Sequence, residues 1–303
     1  MQLSRMDRVY DFIQDHLAED LSADRLAKVA IVSPWWFQRI FLQMTRETPA
    51  RFVRRLRIER AANLLRIQKS SPIGNIARDC GFGSAELMTR HFKNRFGISP
   101  SEWRKTSAAG KLGRNRQVLD RNGSSPDKGK QAISFKKIDI LNRVSDYRVS
   151  PLRLERRGKR RLIYTRHFRG YDTAIADAFM RLEKWAQPRG LVDERTVMVG
   201  IGLDNPYVTD PEKCRFLACL TVEGEPEIGD GIGTKVIPAG LYAAFEFEGS
   251  WSALPTVFDT LYEVWLPQSG AEGVMDLELF ELLTTPVNPR SLHSRIAIQV
   301  RSL

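Results

Sequence analysis

The chain has 303 residues, 42% of them hydrophobic and 27% charged, which fits a globular protein long enough for two domains. No apolar run approaches the roughly 18 residues that a membrane-spanning helix needs, so we expect none. Its formal net charge of +11 is uneven: residues 1–107 carry 19 Lys and Arg against 11 Asp and Glu, residues 108–147 carry 9 against 4, and residues 148–303 carry 19 against 21. We therefore expect a polyanionic partner to bind the N-terminal two-fifths of the chain.

Residues 4–107 are predicted to be helical, broken only at short turns. One helix of about 33–45 begins at Ser33-Pro34, because serine caps free N–H groups and proline fits the first helical position. An apolar stripe with helical spacing predicts its buried face: Phe37, Ile40, Phe41 and Met44. Three residues off that stripe are predicted to face outward: Trp35, Gln38 and Arg39.

The same pattern recurs 51 residues further along the chain. The matching pairs are Ser33 and Ser84, Arg39 and Arg90, Phe41 and Phe92, Pro49 and Pro100, and Phe52 and Trp103; upstream, Leu26-Ala27 matches Ile76-Ala77 with an offset shorter by one. In each copy a short helix (about 22–29, then 72–79) precedes a turn and a longer helix (about 33–45, then 84–96). This order is typical of a duplicated helix-turn-helix, whose second helix enters the major groove of DNA.

The segment between the two copies, from Pro49 to Leu65, is predicted to form one helix of about four turns. Its apolar face consists of Ile58, Ala61, Leu64 and Leu65. Two interpretations of its arginines stay open, namely phosphate contacts and a solvated basic face. In either case the helix holds the two units at a fixed separation.

The duplicated helix-turn-helix resembles the AraC-type DNA-binding domain over essentially all of residues 5–105. The resemblance is carried by the two matched units together with the runs 57–65, 76–82 and 92–104. The resemblance implies two reading helices that face successive major grooves, about 34 Å apart. Transferred to matching positions, it predicts these DNA-binding residues: Ser33, Trp35, Gln38, Arg39, Ser84, Glu86, Thr89 and Arg90. Arginine pairs with guanine, glutamine pairs with adenine, and a tryptophan edge contacts a thymine methyl.

The second reading helix offers fewer base-reading groups than the first. Ala85 and Glu86 occupy its first turn, and only Arg90 is a strong candidate, so we expect the first helix to carry most of the discrimination. Two alternatives stay open: Trp35 packs against its own helix, or Arg39 contacts a phosphate without reading a base. His91 is predicted to be a packed histidine.

Residues 108–147 are rich in Gly, Ser, Asn and Lys and are predicted to form a flexible basic linker. Apolar alternation returns over 133–147 and predicts a short strand there, so the domain boundary is open within that range. From about residue 149 short β-like runs follow, the clearest at 162–165, 197–203 and 216–222, together with two longer helical segments.

A second internal repeat, at offset 79, pairs Phe168, Gly170, Ala174, Phe179 and Leu182 with Phe247, Gly249, Ala253, Phe258 and Leu261. Segments in both halves, including 166–171, 185–190, 237–242 and 296–300, resemble the GyrI-like effector-binding domain. The predicted fold is therefore an all-α double helix-turn-helix domain (1–107) followed by an α+β, pseudo-symmetric GyrI-like domain (148–303).

The GyrI-like resemblance implies a ligand cleft at the seam between the two halves, with an acidic residue of a late strand among aromatic side chains. That setting suits a small cationic or aromatic effector. We favour Glu278, with Phe280 on the same face of the strand, while Glu281 is a competing assignment and a solvent-facing glutamate is the third interpretation. The other predicted ligand-binding residues, for which a place in the core is the alternative, are Tyr171, Tyr242 and Trp251.

The sequence thus predicts a ligand-responsive regulator of transcription that binds double-stranded DNA, with RNA polymerase as a further candidate partner. We expect no catalytic residue, cofactor or metal, because the four histidines are dispersed and the three cysteines lack ligand spacing. Without a signal-peptide pattern or a membrane partner, a cytoplasmic location is expected. The alternatives are a GyrI-like hydrolase fused to a DNA-binding domain, and a regulator whose C-terminal domain contacts only protein partners.

Overall fold

The computed structural model describes residues 2–68, 70–108, 147–168, 174–205, 208–229, 231–250, 253–266, 269, 271–283 and 292–302. The chain divides into two units, Met1–Lys130 and Gln131–Leu303. Of the predicted linker, residues 109–146 lie outside the described part of the chain, as does most of the strand predicted at 133–147.

The described part of the N-terminal unit is helical, as the sequence predicts. Its helices are α1 (Gln2–Asp15), α2 (Ala23–Ala30), α3 (Pro34–Thr45), α4 (Pro49–Ile67), α5 (Ile73–Asp79), α6 (Ala85–Phe96) and α7 (Pro100–Ala108). The predicted bounds of both helix-turn-helix pairs, α2–α3 and α5–α6, are confirmed to within one residue. The helix between them, α4, is longer than predicted, with 19 residues.

Matched caps and matched aromatic pairs make the two copies physically similar. The Ser33 hydroxyl accepts from the N–H of Trp36 (3.3 Å), and the Ser84 hydroxyl accepts from the N–H of Leu87 (3.1 Å). Behind α3, the rings of Phe41 and Phe52 meet edge to face at 5.1 Å; behind α6, Phe92 and Trp103 do the same at 5.6 Å. Each reading helix is thus fixed by one cap and one buried ring pair.

The turns before the two reading helices place different residue types in the same backbone conformation. Both turns need a residue in the left-handed region, which Gly81 (φ +76°) supplies before α6 and Ile31 (φ +54°) supplies before α3. A Cβ on Gly81 would lie 2.7 Å from the carbonyl oxygen of Leu17, so this turn packs directly on the end of α1. Ile31 is 64% exposed, and a β-branched side chain in this conformation is strained.

In the C-terminal unit the described strands form one antiparallel sheet. They are β1 (Tyr147–Val149), β2 (Arg153–Arg157), β3 (Arg160–Phe168), β4 (Met198–Gly202), β5 (Arg215–Val222), β6 (Gly233–Ile237), β7 (Gly240–Gly249), β8 (Ala271–Leu282) and β9 (Leu292–Ser302). Their order is β1-β7-β9-β8-β4-β5-β3-β6, and β2 also pairs with β7. Helix α8 (Ala174–Ala186) precedes β4, and α9 (Leu254–Thr260), continued by a π-helical turn at Leu261–Trp265, precedes β8.

The sheet closes on itself. The ladder that pairs Arg157 with Gly240 resumes in the same register where Arg160 pairs with Ile237, after two residues on each strand. Pro238 lies in that break and has no N–H to donate. Because β2 leads into β3 and β6 leads into β7, the β2–β7 and β3–β6 pairings form one continuous ladder. This ladder joins the two ends of the strand order and closes the sheet.

The two faces of this closed sheet have different partners. One face lines a buried interior: Leu162, Tyr164, Val199, Ile201, Leu217, Cys219, Ile237, Tyr242, Ala244, Leu279 and Ala297. The other face carries the helices. Leu182 and Ala186 of α8 pack on β3 and β5, and Phe258 of α9 packs edge to face on Phe280 of β8 at 5.3 Å.

Candidate nucleic-acid interface and ligand site

The first reading helix, α3, presents a broad exposed face. Phe37 and Phe41 are fully buried and fix the helix to the core. Trp35, Gln38 and Arg39 are exposed, as the sequence predicts, and Ser33 caps the helix beside them. A tryptophan that is 64% exposed on a helix is unusual unless it meets a partner, because its apolar area is left in water.

Arg39 and the tryptophans of α3 form a stack on this face. The guanidinium carbon of Arg39 lies 4.9 Å from the centroid of the Trp35 ring, and the Trp35 and Trp36 rings are stacked at 6.3 Å with an interplanar angle of 24°. Trp36 is 40% exposed and was not among the predicted site residues. Its place off the apolar stripe was the signal that the sequence offered. Leu42, also exposed, extends the apolar part of the same helix surface.

The second predicted reading helix, α6, carries Arg90, Thr89 and Glu86 at its predicted DNA-binding positions. Arg90 is exposed and Thr89 is half-buried. Glu86 is exposed in the first turn, where hydrogen bonds from its own backbone and from Ser84 lower the pKa of its carboxyl. An ionised carboxylate at a helix N-terminus stabilises the helix and opposes an incoming phosphate. Glu86 thus places a negative charge in the first turn of α6.

Two arginines of α4 make internal contacts. Arg57 donates from Nε to the carbonyl oxygen of Leu17 (2.9 Å) and from Nη2 to that of Glu19, and so ties α4 to the end of α1. Arg55 donates to Glu47 and Glu59 at 2.9 and 3.0 Å. Neither interpretation of the α4 arginines foresaw these contacts. Arg51 and Arg54 of the same helix are exposed.

His91 lies on α6 with its ring 6.3 Å from that of Phe82 and is half-buried. Burial first, and then the positive charges of Arg54 and Arg90, lower the pKa of His91. The histidine is therefore neutral near pH 7, which suits the packing role that the sequence predicts.

In the C-terminal unit an aromatic row crosses the helix-bearing face between α8 and α9. Phe179 contacts Phe216 at 6.0 Å, Phe216 contacts Phe280 at 6.4 Å, and Phe280 contacts Phe258. Beneath the row lies Gly200 of β4, where a Cβ would come within 2.4 Å of the Phe216 ring. Phenyl rings from α8, β5, β8 and α9 thus lie together over a glycine of β4.

On β8, Glu278 lies two residues before Phe280 of this row. Its backbone pairs with Gly202 of β4 on one side and with Ile298 of β9 on the other. Its side chain lies outside the described part of the chain, as do Tyr171 and Trp251. The β8–β9 ladder is interrupted just before it: β8 advances from Gly273 to Glu278 while β9 moves only from Val300 to Ile298. Such bulges recur next to functional sites because they re-aim side chains.

The competing carboxylate, Glu281, is held by two arginines of this chain. Its Oε1 accepts from Arg157 at 2.9 Å and from Arg160 at 2.6 Å, and both Glu281 and Arg157 are buried. The two ion pairs offset the free-energy cost of burying the charged carboxylate of Glu281.

Tyr242 lies on the face of the sheet opposite Phe280. Its ring belongs to the interior cluster, Arg157 lies over it at 5.4 Å, and its hydroxyl donates to the carbonyl oxygen of Pro238 at 2.8 Å. Burial raises the pKa of Tyr242. The structure therefore does not bring Tyr242 and Phe280 into one cleft, because their side chains occupy different faces of the sheet.

Among the described residues, no group of three or more His, Cys, Asp or Glu side chains is placed to hold a metal ion. Cys80, Cys214 and Cys219 are buried, and none of them forms a disulfide among the described residues. No helix in the described ranges is long and apolar enough to span a membrane.

Two family models match the chain. A helix-turn-helix domain matches residues 26–106, and a GyrI-like small molecule binding domain matches residues 151–301. Regulatory protein SoxS of Salmonella typhimurium is 34% identical over 94 residues, which are 31% of this chain and 87% of that protein.

Two further proteins resemble the N-terminal part. An HTH-type transcriptional regulator of Mycobacterium tuberculosis is 43% identical over 83 residues, 27% of this chain; the match spans only about a third of that regulator's length (32%). A crystal structure of an AraC-type transcriptional regulator from Chromobacterium violaceum is 31% identical, covers 34% of this chain and 92% of that chain, and has a TM-score of 0.32. From the SoxS match and the two domain matches, the chain belongs to the AraC family of DNA-binding transcriptional regulators and carries a GyrI-like small molecule binding domain.

Proposed function

We propose that this regulator reads two successive major-groove sites with α3 and α6 and that a small molecule bound in its C-terminal domain controls the outcome. The observation that carries the DNA-reading part is the exposed face of α3, where Trp35, Gln38 and Arg39 project from a helix fixed by buried Phe37 and Phe41. The Trp35 ring restrains the Arg39 guanidinium, which favours bidentate pairing with guanine.

In this proposal α6 contributes more to holding the protein on the DNA than to recognising bases. Arg90 is its base-reading or phosphate-binding group, Thr89 contacts the groove wall, and the ionised Glu86 accepts from cytosine or sets the register by repelling phosphates. Ser33 and Ser84 position the N-termini of both helices towards the DNA backbone. RNA polymerase remains a predicted further partner.

The DNA-reading proposal is tested by selecting binding sites from random duplexes with the full chain and then measuring affinity by fluorescence anisotropy. The double variant Arg39→Ala, Arg90→Ala should lose at least about tenfold in affinity for the selected duplex, since each bidentate pair contributes about 1–3 kcal/mol. Arg8→Ala, which removes an exposed arginine of α1, is the matched control and should bind like the wild type. Unchanged discrimination between selected and scrambled duplexes in the double variant would refute the proposal.

For the effector we propose the seam over β4, with Glu278 as the acidic group and Phe280 as an aromatic wall. Three features support it: the phenyl row over Gly200, the bulge that ends at Glu278, and the π-helical turn after α9. Glu281 is bound by arginines, which favours Glu278 as the group that meets a cation. Tyr171 and Trp251 remain predicted lining residues, whereas Tyr242 is assigned to the interior.

We also propose that this domain consists of two equivalent halves, β3-α8-β4-β5 and β7-α9-β8-β9, within a domain of residues 148–303. The sequence offset of 79 and the mirrored strand order β7-β9-β8 beside β4-β5-β3 support this symmetry. The seam then lies where the halves meet, at the β4–β8 pairing.

Thermal unfolding against a panel of cationic aromatic compounds tests the seam. A ligand should raise the unfolding temperature of the wild type and of Glu248→Gln, an exposed control on β7, but not of Glu278→Gln. If no compound stabilises the wild type, the effector proposal fails and the domain is assigned to protein partners. If a stabilising compound is consumed, the hydrolase alternative replaces it.

A further inference from the structure

A basic cleft opens at one end of the closed sheet, away from the aromatic row. Its volume is about 710 Å³, within the range of about 300–1,000 Å³ that is usual for small-molecule sites. Three segments form it: the start of β3 after the β2–β3 turn, residues 190–197 before β4, and residues 221–224 at the end of β5. Its charged lining residues are Lys159, Arg160, Arg161, Arg195, Asp193 and Glu223.

The positively charged side chains of this cleft are more available to bind a ligand than the Asp193 carboxylate is. The Asp193 carboxylate accepts from the N–H of Arg195 (2.9 Å) and from the hydroxyl of Thr196 (3.1 Å), and these bonds lower its pKa. It is therefore committed to shaping the turn that carries Arg195. Lys159 and Arg195 are exposed and form no ion pair with any residue that the structure describes.

The third cation, Arg161, is held only weakly. It pairs with Glu225 at 2.8 Å, but the Glu225 side chain is 80% exposed. Exposed pairs of this kind contribute little free energy, so an incoming anion can replace Glu225 as the partner of Arg161. The cleft lies in a unit whose sequence, from residue 148 onward, has more acidic than basic residues (21 against 19). Lys159 and Arg195, which form no ion pair among the described residues, leave positive charge in the lining that a bound anion would neutralise.

We propose that this cleft is a second binding site, for a small polyanion whose phosphate or carboxylate groups are held by Lys159, Arg161 and Arg195. The concave shape and the two carboxylates in the lining favour a small molecule over a DNA duplex, whose phosphates lie on a convex rod. Guanidinium groups suit such ligands because they pair bidentately with phosphate and carboxylate oxygens.

Arg160 connects the cleft to the strand of the proposed effector seam. It lines the cleft and also donates to the buried Glu281, which lies three positions after Glu278 on β8. A polyanion in the cleft competes with Glu281 for the Arg160 guanidinium. Occupancy of the cleft therefore weakens one of the two ion pairs of Glu281 near this end of β8.

Isothermal titration calorimetry on the full chain, in chloride buffer without other polyanions, tests the site with two probes, pyrophosphate and citrate. We expect one-to-one binding of at least one probe, and the probe that binds identifies the ligand as phosphate-like or carboxylate-like. Lys159→Glu with Arg195→Glu should weaken binding at least tenfold, and the neutral pair Lys159→Gln, Arg195→Gln should weaken it less. Arg181→Glu, an exposed arginine of α8 outside the cleft, is the control for general charge and should change binding less than twofold.

Three results would overturn the proposal: neither probe binds, the Lys159 and Arg195 variants bind like the wild type, or Arg181→Glu loses binding equally. If the charge-reversal variant instead lowers the salt dependence of duplex binding while neither probe binds, the cleft is a DNA contact and the proposal is also wrong. The titration needs neither DNA nor a seam ligand, so its result is independent of the proposed function.

Discussion

The guanidinium of Arg39 lies over the ring of Trp35, 4.9 Å from its centroid, on the exposed side of α3. Removing the ring should therefore cost affinity twice, through its own contact with a base and through the loss of restraint on Arg39. We predict that Trp35→Ala lowers affinity for a selected duplex at least about tenfold. Replacing contacted thymines by uracil, which lacks the methyl group, should weaken wild-type binding but not binding by Trp35→Ala. Met180→Ala, an exposed apolar side chain of the other unit, is the control and should leave affinity unchanged.

Ile31 and Gly81 occupy the same left-handed position in the two turns, and their substitutions should have opposite effects. Ile31→Asn should stabilise the chain by about 1 kcal/mol, because asparagine tolerates this conformation better than a β-branched residue and Ile31 is too exposed to lose much burial. Gly81→Ala should destabilise it by more than about 1 kcal/mol, since a Cβ meets the Leu17 carbonyl. Urea unfolding followed by circular dichroism at 222 nm measures both. A destabilising Ile31→Asn would contradict the strain argument.

Arg57 connects α4 to the turn that follows α1, through the carbonyl oxygen of Leu17 across 40 residues of sequence and through that of Glu19. We predict that Arg57→Ala destabilises the N-terminal unit by about 1–3 kcal/mol, because it removes the donor to the part-buried carbonyl oxygen of Leu17. Arg54→Ala, three residues earlier on the same helix and exposed, should change stability by less than about 0.5 kcal/mol. Equal effects of the two substitutions in urea unfolding would show that the Arg57 contacts contribute nothing.

His91 should make the N-terminal unit less stable in mild acid. Its pKa in the folded chain lies below the ordinary value of 6.5, so the unfolded chain binds the proton more readily. Stability is then full above pH 6.5 and falls as the pH drops through that value. His91→Gln should remove this dependence between about pH 6.5 and 5, while His293→Gln should keep it. A wild-type urea midpoint that does not fall over this interval would contradict the prediction.

Gly200 should tolerate no side chain, because the Phe216 ring occupies the place of its Cβ. We predict that Gly200→Ala destabilises the C-terminal unit by about 1–3 kcal/mol and weakens any seam ligand. Gly158→Ala is the matched control, since a Cβ there meets nothing within 4 Å. Thermal unfolding with and without ligand measures both effects. If the two variants have the same unfolding temperature and the same shift with ligand, the ligand does not bind over Gly200.

The helices of the N-terminal unit could be predicted because their signals are local. Ser33-Pro34 marks the start of α3, and the spacing of Phe37 and Phe41 marks its buried face. The Arg57 contacts with α1 could not be predicted, since nothing near Arg57 in the sequence distinguishes it from the exposed Arg54. Trp36 differs from Arg57, because its place outside the stripe that contains Phe37 and Phe41 is a local signal in the sequence.

Three C-terminal strands, β3, β4 and β5, were recognisable from their apolar runs, but the strand pairing was not. The closure of the sheet depends on Arg157 meeting Gly240 and Arg160 meeting Ile237, which are pairings across about 80 residues. The bulge before Glu278 is likewise a relation between two strands and leaves no mark in either sequence alone. The opposite placement of Tyr242 and Phe280 follows from register, which alternation within one strand cannot supply.

The central claim is that α3 and α6, joined through α4, read two sites on one side of the same duplex. The most direct test inserts five base pairs between the two halves of a selected site, which turns one half about half a helical turn away from the other. We predict that specific affinity falls to that of a single half-site, and that ten inserted base pairs do not restore it, because α4 holds the two reading helices at one separation. Full affinity after the five-base-pair insertion would contradict the account.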